Sequence, residues 1–395
     1  VAVLHAERDL ELGEPTRVDP RIRGAREAVE RAADLLAAAK RPLVVAGDAV
    51  AQGGGIAELI EVAELLGAPV RLEGMANRCN FPFTHPLYQG AIPRVAPDLR
   101  ALLQQHDLLF SVGGDLFTLS LPSDVEPVPH GLTIIHLDVD PWEIGKNYPA
   151  KVAIVGDPKA TRPDLAEVLR KRFGGRAHPE ARRRREDSDK RRAETIAELK
   201  KRALAAGGRQ PIAPLALVHA VAESLPPDAV IVEEAISSGG GLRELLRCQD
   251  AQSFFGLRGG GIGWGLPAAL GVKLALPRRP VVALVGDGSA MYTNQAFWTA
   301  AHNGLGVVFV IINNRGYRIL KQRVHALKGF SAQDDVYVAM DLDRPLIDFV
   351  GLAQSLGVAG ERVEKAADIG PALARGLAAG GPYLLDVQVD ASFKP

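Results

Sequence analysis

Cysteine is nearly absent from this 395-residue chain: there are two, Cys79 and Cys248. Their spacing makes neither a disulfide framework nor a metal-type cluster, and it fits two reduced thiols in a cytoplasmic protein. Charge of one sign is not in excess. Lysine plus arginine and aspartate plus glutamate number 47 each, so nothing pulls the whole chain toward nucleic acid or an anionic membrane. No apolar run is long enough to span a bilayer, and no signal peptide is visible. A starting methionine is missing too. In VAVLHAERD, Val1, Val3 and Leu4 read as the tail of a strand whose domain lies upstream; a processed or trimmed terminus is the other reading.

Alanine, valine, leucine and glycine dominate, and aromatics are only 5%, which suits an α/β protein with buried parallel strands. Residues 5–24 are charged and carry Pro15, Pro20 and Gly24, as a linker would. A helical pattern over 26–40 is followed by apolar runs at 41–48, 68–73, 107–115, 132–140 and 151–157, each ending in glycine or an acidic residue. Strands alternating with helices imply right-handed crossovers and a parallel sheet. The expectation is two doubly wound α/β domains. Residues 1–24 are a linker or the end of a missing N-terminal domain, 25–172 a central Rossmann-like domain, 173–209 a charged linker, and 210–395 the second domain. The run RAHPEARRRREDSDKRRAE lacks interleaved aromatics and mixes in acids, so it reads as solvated linker and helix surface, not as a nucleic-acid patch. Segment 321–344 is polar and expected to be mobile.

The chemistry sits in LVGDGSAMYTNQAFWTAAHNGLGVVFVIINNRGY, residues 284–317. The run VVALV is a central strand, and ligands of open α/β sheets bind beyond the carboxyl ends of strands. Gly288 and Ser289 are expected to open a helix through Trp298, whose free N–H groups suit a phosphate. A carboxylate, Asp287, inside that turn fits if a divalent cation lies between. The next strand brings the Asn314 amide oxygen to the same edge, and Gly316 can turn its carbonyl inward. Magnesium takes few protein ligands plus phosphate oxygens and water, so the segment reads as a magnesium–diphosphate site.

GDGS…NNRGY resembles the thiamin-diphosphate motif of the pyruvate decarboxylase/acetolactate synthase superfamily, and the likeness covers nearly the whole chain. It implies that Asp287, Asn314 and the Gly316 carbonyl hold Mg2+, and that Gly288, Ser289 and Tyr317 sit against thiamin diphosphate. EEAISSGGG implies a further diphosphate contact near Ser237. GGGIGWGLPAALG implies Ile262 as the apolar wedge under a bent cofactor and the Gly260 carbonyl as acceptor for its aminopyrimidine. GMANRCNFPFTHPLYQG is most similar to the benzoylformate decarboxylase branch, which implies that His85 moves protons at the active site.

Three features depart from the family. The amino-terminal pyrimidine-binding domain, with the glutamate that activates the pyrimidine, is not assignable, so it is expected upstream or from a partner chain. Around the wedge turn, FFGLRGGG offers Gly256 and Arg258, and after the asparagines come Ile319, Leu320 and Arg323. A pocket of Arg258, Ile319 and Leu320 suits an acidic or longer 2-oxo acid, with arginine as its clamp, although surface arginines are commoner.

The resulting expectation is non-oxidative decarboxylation of a 2-oxo acid with thiamin diphosphate and Mg2+. The alternatives are an acetolactate synthase-type carboligase and a non-catalytic cofactor-binding subunit. A homodimer or homotetramer is implied by the resemblance. A Rossmann-type dehydrogenase is weaker, because GDAVAQGGG lacks GxGxxG at the required offset.

Overall fold

A computed structural model describes residues 13–18 and 21–393; Val1, Val3 and Leu4, read above as a strand tail, lie outside the described residues. The first sheet is formed by β1 (Pro42–Ala46), β2 (Val70–Leu72), β3 (Tyr88–Ala91), β4 (Leu108–Val112), β5 (Thr133–Asp138) and β6 (Val152–Val155). Its order is β3-β2-β1-β4-β5-β6, and every pairing is parallel. The second sheet contains β7 (Val230–Glu234), β8 (Phe254–Gly256), β9 (Val281–Gly286), β10 (Val307–Asn313), β11 (Ala359–Val363) and β12 (Tyr383–Gln388). Its order is β11-β12-β10-β9-β7-β8, again all parallel. Central strands such as β1, β4 and β10 are buried along their whole length, which is why they read as unbroken apolar runs.

Both sheets are doubly wound. In the first, the chain leaves β1 toward β2 and β3 and then crosses to β4. In the second, it leaves β7 toward β8 and then crosses to β9. Each crossing opens a crevice at the carboxyl edge, β1/β4 in one sheet and β7/β9 in the other.

A single buried core runs from the central domain through Val44, Leu72, Cys79 and Phe83 to Cys248, Phe254, Val310 and Val387 of the second domain. Segment 76–83 makes this continuity. Arg78 bridges to Phe255 and lies over its ring, the Gly256 amide donates to the Asn77 carbonyl at 2.9 Å, and the Phe83 amide donates to Cys248 at 2.9 Å.

The arginine-rich stretch holds a 25-residue helix, Ala181–Ala205, with few buried side chains. Segment 321–344 differs from expectation. It continues the helix Arg318–Ala326, adds a short one at Phe330–Gln333, and is tied back to the asparagine turn. The Tyr317 amide donates to Met340 and the Leu342 amide to Arg315, at 2.9 and 2.8 Å. Composition shows that such a segment is polar; it does not show the backbone bonds it makes. Among the described residues no helix is long and apolar enough to cross a membrane.

Candidate active site

The crevice at β7/β9 collects residues from four places. Glu234 to Ser238 follow β7, Ile262 stands on the glycine turn, Gly286 to Ser289 leave β9, and Asn314 to Leu320 leave β10. Of the residues singled out in the sequence, Ser237, Ile262, Asp287, Gly288, Ser289, Asn314, Gly316, Tyr317, Ile319 and Leu320 line this one hollow.

The two asparagines divide the work. Asn313 is bound within the protein: its amide donates to Asp386 at 2.9 Å and its oxygen accepts from the Arg315 amide at 3.2 Å. That side-chain turn carries Arg315 through a left-handed conformation, φ 59°. Asn314 is buried, and its Oδ1 has no hydrogen-bond partner among the described residues. Asp287 is buried beside it and accepts from the Gly316 amide at 3.0 Å. Burial pushes the Asp287 carboxyl up to about 6, against amide donors from Gly288, Gly316 and Arg315 that favour its ionised form.

The helix expected from Gly288 to Trp298 is two pieces, Asp287–Ala290 and Ala296–His302, separated by turns. One turn of helix has little dipole, so the individual amides are what this turn offers an anion. Gly288 is required here by close approach. A Cβ at this position would lie 2.6 Å from the Tyr317 ring.

Sequence reading missed Glu234, Ser238 and Arg318. Glu234 is buried at the end of β7 and accepts from the Gly263 and Gly265 amides at 2.7 and 2.5 Å. It therefore suspends the turn that carries Ile262, and Ser289 bonds to the same carboxylate. Burial raises its pKa against these donors. Ser238 Oγ and Arg318 Nε and Nη1 are buried without partners among the described residues, and both residues line the hollow with Asn314. A serine and an arginine in loops carry no periodic signal. Three unpartnered polar groups around one cavity are visible only once the chain is folded.

Other expected residues lie elsewhere. Gly260 is exposed on the glycine turn, left-handed at φ 74°. Arg258 does not line the hollow. Its Nη1 donates to Asp48 at 2.7 Å and to Glu73 at 2.6 Å, across the domain boundary. Those acids follow β1 and β2, so the guanidinium caps the carboxyl edge of the central sheet. His85 also lies outside the hollow. Its ring packs edge-on against Phe81 with Nε2 3.4 Å from Glu64, and burial lowers its pKa although Glu64 opposes this.

Two doubly wound parallel sheets, with buried polar groups converging on the switch point of the second, define an α/β ligand-binding architecture of dinucleotide-fold type. The relatives sharpen that class. Residues 29–165 match the family described as thiamine pyrophosphate enzyme, central domain, and residues 239–387 the thiamine pyrophosphate enzyme, C-terminal TPP binding domain. Through these two domains the chain belongs to the thiamine pyrophosphate enzymes. It is 32% identical over 356 residues to benzoylformate decarboxylase of Pseudomonas aeruginosa, covering 90% of this chain and 62% of that protein. It is 33% identical over 352 residues to acetolactate synthase of Mycobacterium bovis, covering 86% and 54%. Among solved structures, benzoylformate decarboxylase from Polynucleobacter necessarius aligns with a TM-score of 0.80 at 25% identity, covering 98% of this chain and 69% of that one. The thiamine diphosphate-dependent 4-hydroxybenzoylformate decarboxylase of Rhodococcus jostii aligns at 0.78 and 28%, covering 96% and 67%. The chain thus spans 62% and 54% of the length of these two curated relatives.

Proposed function

We propose that the chain is the cofactor-holding part of a thiamin diphosphate- and Mg2+-dependent enzyme that decarboxylates a 2-oxo acid. One observation carries this reading: the unpartnered Asn314 Oδ1 beside buried Asp287, at the ends of adjacent strands and facing a hollow. A hard cation wants a carboxylate, an amide oxygen and a backbone carbonyl, with phosphate and water completing its shell. Asp287, Asn314 and the Gly316 carbonyl supply that set. Among the described residues no group of three His, Cys, Asp or Glu could hold a metal ion, so a metal here depends on such mixed oxygens.

The donors fit a diphosphate. The Ser289 amide, the Ser237 and Ser238 hydroxyls and the Arg318 guanidinium border the same hollow. Tyr317 packs over Gly288 and walls one side. Glu234 holds the turn on which Ile262 presents an apolar edge and Gly260 a carbonyl. Bound there, thiamin diphosphate supplies the electron sink that decarboxylation of a 2-oxo acid requires. Ile319 and Leu320 give the substrate end an apolar edge. Arg258 is engaged by two acids outside the hollow and does not clamp the substrate in this reading. His85, packed against Phe81 and Glu64, has no role assigned in this hollow, and the assembly is a homodimer or homotetramer. The pyrimidine-binding domain would come from upstream residues or a partner chain.

The relatives include acetolactate synthases, so carboligation is the second reading. The stretch from Gly74 to Gly90, with its RC, FP and HP pairs, favours the decarboxylase. Calorimetry with Mg2+ and thiamin diphosphate tests the site. Asp287→Ala should remove metal-dependent binding, and unchanged affinity would sink the assignment. Product analysis with and without an acceptor aldehyde separates the two reactions.

A further inference from the structure

The amino-terminal edge of the central sheet holds a feature that the proposed reaction does not use. A cavity of about 370 Å³ opens between that edge and the helix Ala181–Ala205. Its walls bring together Lys40, Arg41, Arg71, Arg183, Arg184 and Arg191, with Asp187 as the acidic side chain among the lining residues. The first two precede β1, Arg71 lies on β2, and the other three come from the arginine-rich helix.

Few of these cations form ion pairs. Arg183 pairs with Glu180 at 2.7 Å, while the other five have no carboxylate within ion-pair distance among the described residues. Arg71 and Arg184 are held by backbone carbonyls instead, Arg71 on Ala91 and Arg184 on Leu66 and Ala39, each at 3.0 Å. Carbonyls fix a guanidinium in place without cancelling its charge. Arg184 Nε is buried and has no hydrogen-bond partner among the described residues. Burial lowers the pKa of both arginines; Glu180 and Asp107 oppose this at Arg184, while Arg183 adds to it there and Arg191 at Arg71. Glu244, which shares a neighbouring hollow with Arg71, opposes the shift there.

Six cations border one concavity against one lining carboxylate, Asp187, so an anion seated there would feel their fields added together. The cavity has the size of a small-ligand site. Five of its six cations are arginines, whose planar forks match phosphate oxygens better than a lysine point charge does. Arg71 and Arg184 are half-buried within the hollow, while Lys40, Arg41, Arg183 and Arg191 are exposed around its mouth; a nucleic-acid duplex or strand would meet an extended stripe instead of this one ring.

We propose that this cavity binds a small molecule carrying two or more adjacent phosphate groups, and that binding clamps the arginine-rich helix to the central domain. The proposal is independent of the thiamin diphosphate reading.

Inorganic tripolyphosphate is the probe, titrated into the full chain by calorimetry in low salt with EDTA present, so that metal-dependent binding is excluded. Binding in the micromolar range is expected. Arg183→Glu with Arg191→Glu reverses two exposed charges and should weaken it at least tenfold, as should Arg41→Gln from a different element, whereas Asp287→Ala should leave it unchanged. The proposal is overturned by no binding at millimolar tripolyphosphate, by equal affinity in both sets of variants, by a matching loss in Asp287→Ala, or by an RNA oligonucleotide competing more tightly.

Discussion

Arg258 donates to Glu73 across the boundary between the two domains at 2.6 Å, although 185 positions separate them in the chain. Asp48 shares the same guanidinium nitrogen, and both acids are buried. The bond joins the carboxyl edge of the central sheet to the segment that leads into the Ile262 turn. Removing the cation leaves the buried side chains of Asp48 and Glu73 without their shared donor. Arg258→Ala should lower stability on the order of 2 kcal/mol, less than for a fully buried pair because the guanidinium is 39% exposed. Chemical denaturation measures this, and adding Glu73→Gln to the same chain should recover part of the loss.

Glu73 gives the junction a pH dependence. Burial and the neighbouring Asp48 push its carboxyl up to about 8, against Arg258. The raised value means that the folded chain binds this proton more tightly than the unfolded chain. The contribution is whole below the unfolded pKa near 4.5 and is lost as pH rises through about 8. Denaturation midpoints should therefore fall between pH 5 and pH 9, and Glu73→Gln should flatten that slope. A Gln variant with the slope of the parent would remove Glu73 as its cause.

Arg318 and Ser238 bring unpaired donors to the hollow, so cofactor binding should show their loss. A hydrogen bond to a charged group contributes ~1.5–3 kcal/mol, so Arg318→Gln should weaken thiamin diphosphate binding by roughly tenfold or more. Arg318→Lys should recover part of it. Calorimetry reads both, and an unchanged dissociation constant in Arg318→Gln would remove this donor from the site.

Glu234 should act on the wedge turn before it acts on any reaction. Glu234→Ala strips the Gly263 and Gly265 amides of their acceptor at a cost of ~1–3 kcal/mol. Hydrogen exchange at those two amides should speed up, and Glu234→Gln, which keeps one acceptor oxygen, should lie between. Equal protection in all three proteins would mean that the turn is held by other contacts.

The central strands and the acid and amide at neighbouring strand ends were legible because their signals are local: unbroken apolar runs and a short motif. β3, β8 and β11 were not, being short or half-exposed and carrying weak patterns. The pairing of Arg258 with Asp48 and Glu73, like that of Glu234 with the Gly263 and Gly265 amides, has no local signature. The partners of Arg258 lie 185 and 210 positions away, and long-range pairing leaves no mark in a local window. The break after Ala290 went unseen because SAMYTNQAFW has no proline or glycine to announce it.

Three buried polar groups without partners around one hollow are a standing cost to the ligand-free fold. A ligand that satisfies them binds the folded chain and not the unfolded one, so its concentration sets how much of the chain stays folded. Under the proposed reading, the vitamin supply of a cell would govern the lifetime of this protein as well as its activity. Chain depleted of thiamin diphosphate should be cleared by proteases faster than chain that holds it, with no change in its synthesis.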